Sequence, residues 1–290
     1  MNLSTRIKLG LNAILTPLGL ELITTAKRRD DAAILKKLTE KAHWALPRYI
    51  EGLQIDETKC LEFLSRTCAP FKSEYEQFCS TASSNPGEFY LHNPWFGPVD
   101  AELLYSMIRA CRPRETVEVG SGFSTRLIRM AIDHGNLSTR LTSIDPQPRV
   151  DIDKHVDECI RKPVEDMEAA TIADRLDVND ILFIDSSHFV RTGGDVPFLF
   201  LEVLPRLKPG VYVHIHDIFM PFDYPEEWVR EGREWTEQYL VQSFLAYNSV
   251  FEIVWPASYM WKNRQTDVRT IIEAPVNCPT PSSLWVRRVE

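Results

Sequence analysis

The stretch Thr116-Val-Glu-Val-Gly-Ser-Gly-Phe-Ser-Thr125 decides how the rest of the chain is read. Thr116 to Gly120 has the β-branched, apolar character of a buried strand. Gly120 and Gly122 permit a tight turn and a close approach of a ligand to the backbone. Ser124 to His134 follows as an amphipathic helix that Gly135 ends. The start of that helix leaves N–H groups free at the positive end of the dipole, which suits an anionic or carboxylate group.

Outward from this unit the pattern repeats. Arg140–Asp145, Asp180–Asp185, Gly210–Ile215, Val250–Trp255 and Ser283–Arg287 are further strand candidates, with a weaker one near Cys159 to Lys162. Thr236 to Tyr247 reads as another helix. Short apolar runs alternating with amphipathic stretches mean parallel strands joined by crossover helices, hence a three-layer α/β sheet. Ligands of such sheets bind beyond the carboxyl ends of the strands, where strand order reverses.

Upstream the reading is helical. Asp31 is placed to cap a helix carrying Ile34, Leu35, Leu38 and Ala42 on one face. Asp56 is placed to cap the next, whose Leu61, Leu64 and Cys68 recur at helical spacing until Pro70 stops it. Thr81 to Gly87 is a turn-rich linker. Residues 1–85 are therefore expected to be a helical extension, a lid or dimer contact, and residues 86–290 the α/β domain. Leu9 to Thr24 is apolar but interrupted by Asn12, Pro17 and Gly19, too short to span a bilayer. It reads as a helix packed on its own protein, with an interfacial helix as the alternative.

The 290 residues carry 33 basic and 41 acidic side chains, a formal charge of -8. That balance disfavours a nucleic-acid surface as the main business. Six separated cysteines form no C-x-x-C pair, which argues for reduced thiols and a cytoplasmic location. The expected partner is a small molecule, with no nucleic acid and no integral membrane segment; a homo-oligomer stays open.

The strand ends carry the chemistry. Glu118 lies two residues before the first glycine, where a carboxylate can meet a positively charged amino group. Thr125 occupies the third glycine position of a dinucleotide motif, which speaks against a nicotinamide cofactor. Asp145 ends the second strand and can accept both hydroxyls of a ribose. Asp185 and His188 lie three residues apart beyond the central strand. His214 and His216 share a face of the next strand, ahead of Asp217. Adjacent parallel strands lie about 4.8 Å apart, so Asp185, His188, His216 and Asp217 could converge. Asn93 to Pro98 and the aromatic run Asp217 to Trp228, with Phe219, Phe222 and Tyr224, are candidate walls of an acceptor pocket.

Taken together, these motifs resemble a class I S-adenosylmethionine-dependent methyltransferase over Asn93 to Glu290. The resemblance implies a Rossmann-like sheet of seven strands ordered 3-2-1-4-5-7-6, the last antiparallel. It implies S-adenosylmethionine as cofactor, held by Glu118, Gly120, Ser121, Gly122, Ser124, Thr125 and Asp145. The segment Ile184-Asp-Ser-Ser-His188 with the later His216-Asp217 is similar to metal-dependent O-methyltransferases of macrolide sugars and to cephalosporin-hydroxylase-related proteins. That likeness implies a catalytic Asp185–His188 pair with His188 as general base. It also implies a divalent Mg, Mn or Fe ion on Asp185, His216 and Asp217. The expected activity is methyl transfer to a small-molecule hydroxyl. A metal-dependent hydroxylase or oxygenase and a nicotinamide-dependent oxidoreductase are the alternatives.

Overall fold

Along each strand the side chains divide between two cores. Ile181 and Phe183 pack into one, Leu182 and Ile184 into the other, as the twofold alternation of a strand requires. The computed structural model describes residues 11, 13–15, 17, 25–83, 85, 87–275 and 277–290. The strands are β1 (Glu115–Val119), β2 (Arg140–Ile144), β3 (Glu158–Ile160), β4 (Ile181–Ile184), β5 (Tyr212–Ile215), β6 (Phe251–Pro256) and β7 (Leu284–Arg288). They form one sheet in the order 3-2-1-4-5-7-6, the expected Rossmann-like methyltransferase topology. β7 runs antiparallel to both β5 and β6, and every other pairing is parallel.

The helices are α1 (Thr25–Glu40), α2 (Glu57–Cys68), α3 (Asp100–Cys111), α4 (Phe123–His134), α5 (Ala169–Ala173), α6 (Asp195–Phe198), α7 (Glu226–Arg230), α8 (Glu237–Leu245) and α9 (Ala257–Ile272). Residues of α2, α3, α4 and α9 fill the core on one face of the sheet. Residues of α5, α6 and α8 fill the other. Asp56 caps α2 as expected, its Oδ1 accepting the N–H groups of Thr58 and Lys59 at 3.1 Å each.

Two compact units result. One holds the described residues up to Leu46 together with Pro225–Gly232, and the other holds Pro47–Tyr224 with Arg233–Glu290. Cys60, Phe63 and Leu64 of α2 lie in the sheet-bearing core, so the stretch after Leu46 packs with the sheet. In the smaller unit α1 begins at Thr25, which puts Asp31 inside the helix and corrects its expected capping role. Trp228 lies on α7 in that unit. Most of Leu9 to Thr24, with Ser84 and Pro86 of the linker, lies outside the described residues. Among the described residues no helix is long and apolar enough to cross a membrane. All six cysteines are free.

Candidate active site

Gly120 is where β1 turns toward α4, and its backbone has a φ of +78°. A Cβ there would lie 1.9 Å from the carbonyl oxygen of Asp185, so only glycine fits between the ends of β1 and β4. Gly122 differs: its φ is extended and a Cβ there would meet nothing within 4 Å. The first glycine lets two strand ends meet, and the second leaves a space open above the loop.

Hydroxyl groups tie the loop to its supports. The Gly122 N–H donates to Thr125 Oγ1 at 2.9 Å, and that hydroxyl donates to Glu118 Oε2 at 2.6 Å. Ser124 Oγ donates to the other Glu118 oxygen at 2.6 Å. Glu118 is fully buried, and burial pushes its carboxyl up to about 8. Here Glu118 is buried beneath the loop and supports it through these two hydroxyls.

Asp145 reaches across from the end of β2. Its Oδ2 accepts the Ser121 N–H at 2.9 Å and the Ser121 hydroxyl at 2.7 Å, and its Oδ1 accepts the Gln147 N–H at 2.8 Å. Each carboxylate oxygen carries two lone pairs, so one acceptor site on Oδ1 is left beyond these bonds. Gly120, Ser121, Asp145, Asp185, Ser186 and Ser187 line one cavity of about 380 Å³ at the carboxyl ends of β1, β2 and β4. Polar groups converge on a concave space at the point where strand order reverses, as a nucleoside ligand requires.

Asp185 and His188 meet as expected, with 3.2 Å between Oδ1 and Nε2. The Asp185 side chain is 38% exposed and faces the cavity, whereas His188 is buried behind it. His188 Nδ1 lies 2.7 Å from Oε2 of Glu237, a fully buried carboxylate. The imidazole stacks on Trp235 with ring centres 4.1 Å apart. Its carbonyl accepts the N–H groups of Thr236 and Glu237, which pins the start of α8 to the β4 loop. Burial works against a charged His188, but the hydrogen bonds it donates to Asp185 and Glu237 lift its pKa to about 10. Burial likewise raises Asp185, yet His188 and the neighbouring His216 charge bring it down to about 2. In this arrangement His188 is an imidazolium at neutral pH, held at both nitrogens.

One positioning group was not read as such in the sequence. Glu237 stands 49 positions after His188, and the only local signal was an acid in the first turn of an expected helix. Asp195 opens α6 and accepts both the Ser187 N–H and the Ser187 hydroxyl, at 2.7 and 2.6 Å.

The second histidine strand does not join the cavity. His216 is buried, its Nε2 is 3.3 Å from the Trp95 carbonyl, and its ring centre is 5.0 Å from that of Phe96. His214 donates to or accepts from Ser283 Oγ at 2.7 Å and stacks on Phe183. Asp217 has a φ of +56° and takes the Ser282 hydroxyl at 2.8 Å, on the β7 side. Of the residues expected to hold a metal, Asp185 faces His188, His216 lies near the Trp95 carbonyl and 3.7 Å from Asp217 Oδ1, and Asp217 also takes the Ser282 hydroxyl. Among the described residues no group of three His, Cys, Asp or Glu side chains is placed to hold a metal ion.

The expected walls are in part interior packing. Asn93 to Phe96 forms a turn fastened by the Asn93 side chain, and Phe96 fills the space before Phe183 and His216. Phe219, Phe222 and Tyr224 are all buried. The Tyr224 hydroxyl accepts the Gln238 N–H at 3.1 Å, so this run braces the start of α8.

Residues 117–218 match the family model of a methyltransferase domain. No curated protein matches the chain. Among solved structures, the chain is similar to SAH-bound Podospora anserina methyltransferase PaMTH1, at 10% identity and a TM-score of 0.41, covering 93% of this chain and 99% of that one. It is similar to the O-methyltransferase from Bacillus cereus in complex with SAH, at 12% identity and a TM-score of 0.36, over 86% and 99% of the two chains. The MycE methyltransferase of the mycinamycin biosynthetic pathway, with Mg, SAH and mycinamycin VI, matches at 15% identity and a TM-score of 0.35, over 63% of this chain and 47% of that one. The domain match spans β1 through the end of β5, the same segment that builds the loop, Asp145 and the Asp185–His188 pair. Residues 117–218 are thus similar to a methyltransferase domain, and the sheet that carries them has the strand order expected of that fold.

Proposed function

We propose that this chain is an S-adenosylmethionine-dependent methyltransferase that acts on a hydroxyl group of a small molecule, with neutral His188 as the general base. The observation that carries the reading is the Asp185–His188–Glu237 array set against the cavity that the 120–122 loop and Asp145 enclose. Ser121, Gly122 and Asp145 would hold the cofactor, whose fit is supported by the open space above Gly122. When bound, S-adenosylmethionine supplies an electrophilic methyl group on a sulfonium.

The protein's own part is positioning and proton removal. Holding two reactants nearly in contact accounts for much of such a rate. A hydroxyl is a weak nucleophile until its proton leaves. Asp185 faces the cavity and is the first side chain an acceptor hydroxyl meets. Behind it, Glu237 fixes Nδ1 and leaves Nε2 as the nitrogen that exchanges a proton. An imidazolium cannot take one, so His188 acts after its own proton has left, with Asp185 and Glu237 then stabilising the cation that forms.

The test is methyl transfer to a panel of alcohols, phenols, carboxylic acids and amines, with products read by mass spectrometry. Methyl ethers are expected. Methyl esters or methylamines as the only products would remove the hydroxyl assignment. S-adenosylhomocysteine binding, measured by calorimetry, checks the cofactor site separately. Asp145→Ala is expected to weaken it by about 1–3 kcal/mol, through lost hydrogen bonds to ribose and to Ser121. Unchanged affinity would refute that role. Gly122→Ala should leave thermal stability near wild type while weakening the same binding, because its methyl enters open space. Full affinity in that variant would mean that the cofactor does not approach the loop there.

A further inference from the structure

At the opposite edge of the sheet lies a second, larger cleft of about 1100 Å³, between α2 and the outer strands. Its floor is a row across three strands. Tyr212 opens β5, Arg287 stands beside it on β7, and Glu252 faces Arg287 from β6. Arg66 of α2 lines the cleft as well.

Arg287 is unpaired in an unusual way. The Arg287 guanidinium lies 5.1 Å from the centre of the Tyr212 ring and makes no ion pair with Glu252, its cross-strand neighbour. Its Nε is buried and has no hydrogen-bond partner among the described residues. Tyr212 is only 9% exposed. Arg66 and Arg287 both act on its hydroxyl, opposing the upward push that burial gives its pKa. Of the other charges at the rim, Asp56 caps α2 and lies 4.0 Å from Lys59, and Glu62 stands one turn before Arg66 on the same helix. Buried polar groups are normally satisfied, and a guanidinium left without an acceptor is a standing demand for one. Glu252 is exposed beside it and presents its carboxylate to the cleft.

We propose that this cleft binds a small organic anion that also carries a hydroxyl or ammonium donor, of the hydroxy-acid or amino-acid class. The anionic group sits on Arg287, Arg66 and the Tyr212 hydroxyl, and the donor faces Glu252. The site is separate from the cofactor cavity, which lies at the carboxyl ends of the strands rather than beside the start of β5.

The experiment titrates the full chain with citrate, L-glutamate and inorganic phosphate at low ionic strength, followed by calorimetry. Saturable binding of citrate or L-glutamate, tighter than that of phosphate, is expected. Arg287→Met and Arg66→Met should each weaken it about tenfold to a hundredfold, the loss of one hydrogen bond to a charged group. Both variants should bind S-adenosylhomocysteine as wild type does, which shows that they are folded. Arg66 is exposed on α2, so its variant guards against a folding defect at Arg287. The proposal is overturned if neither citrate nor L-glutamate binds saturably, if phosphate binds as well as both, or if the two variants bind as wild type does.

Discussion

Gly120→Ala is expected to destabilise the protein by about 3 kcal/mol or more and to abolish S-adenosylhomocysteine binding. Two costs add. A left-handed backbone costs an L-residue roughly 1–2 kcal/mol, and Gly120 has a φ of +78°. The new methyl must also displace the Asp185 carbonyl, since no atom pair survives at 1.9 Å; forcing atoms into a packed site costs about 1–3 kcal/mol. The displacement falls on functional ground. The Asp185 N–H is hydrogen-bonded to the Val119 carbonyl at 2.9 Å, so prising β1 from β4 moves the loop and the Asp185 side chain together. Urea denaturation and calorimetry check both parts. Gly122→Ala is the control, two residues away with room for its methyl; a Gly120→Ala protein as stable and as tightly binding as that control would show the strand ends to be looser than described.

The contrast between the two glycines was not legible in their order along the chain. Both stood out as turn residues, but which one is squeezed depends on the β4 end, about 65 positions later. What the chain does declare is whatever repeats along one element. Short apolar runs located the strands within a residue or two, and strand ends located Asp145, Asp185 and His188 because residues after parallel strands share one edge. Partnership across elements is a different matter. Glu118 stood out as an acid in sequence; the Ser124 and Thr125 hydroxyls closing over it are seen only in the fold. His216-Asp217 stood out as a ligand pair; Phe96, the Trp95 carbonyl and Ser282 beside it are likewise seen only in the fold. Asp100 shows the same limit from the structural side. It accepts the N–H groups of Ser282 and Ser283 at 2.7 and 3.2 Å, fastening the start of β7 from 182 positions away.

His188→Ala is expected to slow methyl transfer by about 10²–10⁴, the usual worth of a positioned general base. The same proton governs stability and activity, with opposite signs. Folded His188 has its pKa lifted to about 10 from an ordinary 6.5, by the Asp185 and Glu237 hydrogen bonds that overcome burial. Its contribution to stability is therefore complete below about pH 6.5 and is lost as pH rises through about 10. Loss of that proton also converts His188 into the base. Single-turnover rates should thus climb with pH toward about 10 while the melting temperature falls over the same interval. The alanine variant should lose the climb. It also leaves Glu237 buried without its partner, so a drop in stability is expected too, and Glu237→Gln separates the two effects. Glutamine keeps a group beside Nδ1 but removes one carboxylate that holds the proton, which should shift the climb to lower pH without erasing it. Wild-type turnover in His188→Ala, with chemistry shown to be rate-limiting, would exclude the base. A rate–pH profile that Glu237→Gln leaves in place would detach Glu237 from it.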